Sequence, residues 1–208
     1  MALLGGRSAA GEGRRDSERL EAFSDGVLAV IITIMAISLK VPQGTSFHDL
    51  SRSLPSLLVF LLSFTIIGIY WNNHHHLLRS TERISGAVMW ANLHLLFWLS
   101  LVPFLTDWVA RFYKAHLPAS AYGVAAVGAA IAYGILVRAI IRANGTDSAV
   151  ARAVGSDFKG NVSIALYLVG VGAAWASPWI SYACYALVAR VWFVPDRRLS
   201  GEVHPAGG

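Results

Sequence analysis

Six long apolar runs are separated by short polar connections along the chain, at 23–41, 54–71, 87–109, 119–141, 160–176 and 178–194. A helix rises about 1.5 Å per residue, so about 20 apolar residues cross a hydrocarbon core of roughly 30 Å. The first four runs meet that length. The last two are short and meet at Ser177–Pro178. Proline removes a backbone donor and clashes with the preceding turn, which favours a tight helical hairpin over one long helix. The runs are long and lack period-two alternation, so helices are expected rather than the strands of a membrane barrel. The pattern predicts an all-α, six-transmembrane-helix protein. A polar N-terminal tail (1–22) and a C-terminal tail (195–208) flank the helical domain (23–194).

The first run is the most informative. Residues 26–39 carry no charge, but at the helical rise they cover only about 21 Å. Phe23, Ser24 and Asp25 must therefore lie at or inside the membrane boundary. A carboxylate there needs a partner. Either Ser24 or Asp25 caps the helix start, or Asp25 joins a buried polar network with Arg19 or with a histidine from another helix. At about 100° per residue, Val30 shares a face with Gly26, Thr33, Ile37 and Val41. Asp25, Leu28, Ile32, Met35 and Leu39 fall on the opposite side. The Val30 stripe either packs on a neighbouring helix, with Thr33 bonded to its own backbone, or faces something else.

Composition supports the membrane assignment. Hydrophobic residues make up 55% of the 208, charged residues 14%, and mean hydropathy is +0.54, against about 25% charged residues in a typical soluble domain. One cysteine, Cys184, excludes a disulfide framework. The net charge of +5 could suggest nucleic acid, but the cations are not a patch. Thirteen of the 17 Lys and Arg fall on the side of the two tails and the second and fourth connections. Lys40, Arg52, Arg111 and Lys114 fall on the other. The positive-inside rule then places both termini in the cytoplasm. The apolar start, 2–4, is too short for a signal-peptide core. No nucleophile–base pair, phosphate loop or catalytic carboxylate pair is present, so the chain is not expected to be an enzyme.

Arg19-x-x-x-Phe23-Ser24-Asp25 followed by Gly26-Val-Leu-Ala-Val-Ile-Ile-Thr33 closely resembles the signature that opens the first helix of the transmembrane protein 175 family. That family comprises the animal endolysosomal potassium channel and its prokaryotic relatives. Trp71-Asn-Asn-His-His-His76 and Asn92-Leu-His-Leu-Leu-Phe-Trp-Leu-Ser-Leu-Val-Pro-Phe104 agree with it. The resemblance implies a K⁺ channel whose axis is lined by first helices. With one six-helix repeat instead of two, a homotetramer in a prokaryotic cell membrane is implied. It maps the hydrophobic constriction onto Val30, usually Ile or Leu, the ion-selecting threonine onto Thr33, and the next layer onto Ile37. No T-V-G-Y-G-like filter loop and no Arg-rich voltage-sensing helix occurs.

Other residues have plainer readings. His74, His75 and His76 point about 100° apart on a helix and cannot all face one ion, whereas a helical ligand pair is spaced i, i+4. One of the three is expected to turn toward the Ser24–Asp25 network while the others face the cytoplasm; His76 is placed with the network residues, and the sequence leaves the choice among His74, His75 and His76 open. Asn92 and His94 are expected to be buried interhelical glue. Asp107 could concentrate cations at the outer mouth or simply end a helix. Trp90, Trp98, Trp108, Trp175, Trp179 and Trp192 suit an interfacial belt. Gly123, Gly128, Gly134, Gly170 and Gly172 suit packing faces. The sequence is thus read as a K⁺-over-Na⁺ leak channel with no cofactor and no bound metal. Its rivals are a proton-coupled carrier using Asp25 and a histidine, and a membrane metal or haem redox protein using His74–His76 and His94.

Overall fold

The computed structural model describes residues 5–154 and 158–193. Among them every regular element is helical: α1 (Gly5–Ile37), α2 (Phe47–Arg79), α3 (Gly86–Ser100), α4 (Val102–Arg111), α5 (His116–Asn144), α6 (Ala149–Val154), α7 (Phe158–Ala173) and α8 (Pro178–Phe193). Four stretches are long and apolar enough to cross a membrane: Arg15–Ile37, Phe47–Arg79, Gly86–Arg111 and His116–Asn144. They match the first four apolar runs. The fifth and sixth runs form α7 and α8, 16 residues each, or about 24 Å of helix.

Local chemistry sets the ends. Ser46 caps α2 in a reciprocal capping box with Asp49, which satisfies two of the orphan amides of the first turn. The helix thereby starts seven residues before the apolar run and carries Pro55 within it. Leu101 interrupts the third run, where Pro103 sits in the first turn of α4, a position that needs no backbone donor. Gly145 closes α5 at φ 95°, a backbone conformation that favours glycine. Pro178 opens α8 directly after the Ser177 turn, so the expected hairpin is present.

One boundary differs from expectation. The polar segment before residue 23 is not a separate tail, because α1 runs unbroken from Gly5 to Ile37. Ser17 donates to Leu78 O across 2.8 Å from a buried position, which ties this extension to the end of α2. The C-terminal tail lies outside the described residues.

α1 packs on α2, α3 and α4, α3 packs on α5, and α5 packs on the α7–α8 hairpin. One apolar core joins α1, α2, α3 and α5 through Leu28, Ile31, Ile67, Leu95 and Leu136. A second joins α2, α4, α5, α7 and α8 around Tyr122, Tyr167 and Tyr185. Tyr185 is fully buried and donates to Ala119 O at 3.0 Å. It lies where a Cβ on Gly123 or Gly170 would sit, and the Trp98 ring does the same at Gly128. These three glycines are packing positions, as expected. Gly134 and Gly172 are not, since a Cβ there would meet Arg138 at 3.6 Å and nothing within 4 Å, respectively. Trp98 accordingly belongs to the core of the bundle and not to an interfacial belt.

Candidate pore face and inner polar network

α1 has two faces, as the wheel predicts. Leu28 and Met35 are 1% and 2% exposed and face the bundle. Val30 and Ile37 are 57% and 79% exposed, and Thr33 and Gly26 are exposed with them. Thr33 Oγ1 donates to Ala29 O at 2.8 Å. Its proton is therefore held by the helix, and its lone pairs remain for a ligand outside. The sequence allowed that self-bonded arrangement. Among the described residues the stripe nevertheless has no partner helix.

The opposite face is anchored by a chain of three side chains, all buried: Ser24, Asn92 and His74. Asn92 Nδ2 donates to Ser24 Oγ at 2.9 Å, and Ser24 donates to Leu20 O at 2.8 Å. His74 Nε2 lies 2.7 Å from Asn92 Oδ1. An amide oxygen can only accept, so the histidine carries its proton on Nε2. Three helices are thus joined through polar groups that cost several kcal/mol each if left unpaired in lipid.

Four expectations are corrected here. The histidine in the network is His74, whereas His76 is exposed. Its ring meets that of His75, edge to face at 5.7 Å. The helical turn explains this, because His74 falls on the face of Ile67 and Leu78, both fully buried. Arg19 is exposed and makes no ion pair with Asp25 among the described residues. Asp25 stands beside the network and not in it: its Oδ1 is buried without a hydrogen-bond partner. His94 is exposed and accepts from Trp98 Nε1 at 3.0 Å within its own helix, so only Asn92 acts as interhelical glue. Phe23, the remaining residue of the motif, is 53% exposed.

Other links were not foreseen. Glu21 Oε1 lies 2.7 Å from His75 Nδ1. Thr106 Oγ1 donates to Ser63 Oγ at 2.7 Å, and Ser63 Oγ meets Tyr122 Oη at 2.9 Å, which fastens α4, α2 and α5. Asn144 Oδ1 accepts from Glu82 N and Arg83 N at 3.1 and 2.8 Å, pinning the α2–α3 connection to the end of α5. Asp107 is paired with Arg111 through two contacts, 3.0 and 2.7 Å. That pairing favours the helix-end reading over a cation-gathering mouth.

The family described as "Endosomal/lysosomal potassium channel TMEM175" matches residues 19–103, the segment holding the α1 stripe and all three network residues. A potassium channel of Chryseobacterium sp. (strain P1-3) is 48% identical over 87% of this chain and 94% of its own length. The chain belongs to the TMEM175 family. A potassium channel of Streptomyces collinus is 32% identical over 84% of this chain and 90% of its own. The crystal structure of a lysosomal potassium-selective TMEM175 homologue from Chamaesiphon minutus superposes with a TM-score of 0.75. It is 31% identical and covers 86% of this chain and 97% of that one.

Proposed function

We propose that this TMEM175 family member is a K⁺-selective leak-type cation channel, a homotetramer of six-span subunits with both termini in the cytoplasm of a prokaryotic cell. The observation that carries the reading is the unpartnered α1 stripe of Val30, Thr33 and Ile37, held outward by the Ser24–Asn92–His74 chain on the back of the same helix. The bacterial relatives named as potassium channels support it.

Four copies of the stripe around one axis would stack rings of methyl groups and hydroxyl oxygens. An ion at the Val30 ring has no ligand and keeps its water, so that ring gates by size and wetting. At the Thr33 ring, four neutral oxygens replace part of the hydration shell. Neutral acceptors hold an ion weakly enough for release, and less hydration must be stripped from K⁺ than from Na⁺. α7 and α8 complete the six spans as a hairpin of short helices. The thirteen cations on one side set the orientation.

The test is ion flux from the purified chain in liposomes, comparing K⁺ and Na⁺ gradients, with particle mass measured in nanodiscs. Tetramers that pass K⁺ faster than Na⁺ are expected. A stable monomer as the sole species, or saturable flux that follows a proton gradient, would replace this reading with a carrier.

A further inference from the structure

The end of α1 that precedes the pore stripe carries a second constellation, which the channel reading does not use. Glu21 and Asp25 are one turn apart on α1, and His75 faces them from α2. One ligand atom from each lies within 4.8 Å of the others. His75 Nδ1 is 2.7 Å from Glu21 Oε1, yet this nitrogen makes no hydrogen bond of acceptable geometry, and neither does Asp25 Oδ1, although both atoms are buried. A neutral imidazole carries its proton on one nitrogen only, and with no aligned acceptor at Nδ1 that nitrogen is available as a lone pair when the proton sits on Nε2. The two ionised carboxylates beside it leave a net negative charge and one buried oxygen unpaired, which a shared cation would balance.

We propose that Glu21, Asp25 and His75 bind one divalent first-row transition ion, with Zn²⁺ the best match, and that the ion fastens α1 to α2. Two carboxylate oxygens and one imidazole nitrogen are ligands such an ion takes, with water completing a tetrahedron. Ligands about 2.0–2.1 Å from Zn²⁺ stand roughly 3.3 Å apart. The cluster therefore closes onto an ion by small rotations of two flexible carboxylates. The histidine is held ready, since its ring stacks on Trp71 at 5.8 Å between centroids and 27° between planes. An entry path exists because the His75 and Glu21 side chains keep 25% and 17% of their exposure. Three successive histidines could not make such a site by themselves. Glu21 and Asp25 of α1 supply what His74 and His76, pointing elsewhere, cannot.

The experiment uses the full chain in detergent after chelation, titrated with ZnCl₂ by calorimetry, with Co²⁺ as a spectroscopic substitute. The expected result is one saturable ion per subunit, visible d–d bands from bound Co²⁺, and a higher melting temperature with Zn²⁺ than with EDTA. Glu21→Gln and His75→Ala should each weaken binding by about tenfold or more and remove the thermal shift, while His76→Ala retains both. Glu21→Gln preserves shape, so it decides the matter if His75→Ala fails to fold. Binding in Glu21→Gln that equals that of the original chain, or no saturable binding in the original chain, would overturn the proposal. None of these readouts requires the chain to conduct.

Discussion

His74 and Asn92 meet at 2.7 Å between α2 and α3, Nε2 to Oδ1, and both side chains are buried. The direction of donation follows from the other end of the amide, which gives its proton to Ser24. The chain therefore runs one way, from imidazole through amide and hydroxyl to the Leu20 carbonyl. Asn92→Leu leaves the His74 donor without an acceptor, which costs about 1–3 kcal/mol. A lower melting temperature and reduced tetramer yield are expected. Ser24→Ala on the Asn92→Leu background should add little, because the partner is already gone. Full additivity in a double-mutant cycle would mean the two do not act as a unit.

Thr33 and Val30 should separate selectivity from throughput. Thr33→Val keeps the side-chain shape and removes the oxygen. The K⁺/Na⁺ permeability ratio, read from bi-ionic reversal potentials, is expected to fall while conduction persists. Val30→Ala would widen the proposed constriction and should raise single-channel conductance with little change in that ratio. An unchanged ratio in Thr33→Val would take Thr33 out of the filter, and an unchanged conductance in Val30→Ala would move the constriction elsewhere.

Much of this organisation was legible in the sequence. Val30, Thr33 and Ile37 fall on one side of the wheel because each step along a helix turns by a fixed angle, and burial respects that division residue by residue. The choice among the three histidines stayed open in the sequence although the same arithmetic points to His74. Ile67, His74 and Leu78 are seven and four apart, but apolarity stops at Trp71, so the polar residues that follow do not display the periodicity that the helix continues through them. Arg19 was misjudged for another reason. A motif says which residues recur together, and an exposed arginine beside a buried network looks identical on paper to one inside it. The Ser63–Thr106–Tyr122 contact had no signal at all, since hydroxyls in apolar runs bond their own backbone as readily as another helix.

The glycines around Tyr185 offer a matched comparison within one helix. Gly170→Ala places a methyl group against the buried Tyr185 ring, whereas Gly172→Ala meets nothing within 4 Å. Overpacking costs about 1–3 kcal/mol, while an alanine in an open helical position gains roughly 0.5–1 kcal/mol over glycine. Thermal unfolding should show Gly170→Ala melting below the original chain and Gly172→Ala at or above it.

Asn144 holds the α2–α3 connection from the far end of α5. Asn144→Ala leaves the Glu82 and Arg83 amides to water and frees the connection. Hydrogen exchange should quicken at those two amides, with a stability loss of about 1–2 kcal/mol. Unchanged protection at Glu82 and Arg83 would show that another group holds the loop.

The bond from Thr33 to Ala29 has a last consequence, for the sign of charge and not for size. A free hydroxyl can turn its hydrogen toward an anion or its oxygen toward a cation. With the proton fixed on the helix carbonyl at 2.8 Å, each of the four oxygens in the proposed tetramer shows only its negative end to the axis. A chloride ion arriving there finds no donor and stays outside. Rejection of halides would then need no ring of acidic residues, and it would persist at high salt, where surface charge is screened within a few ångströms.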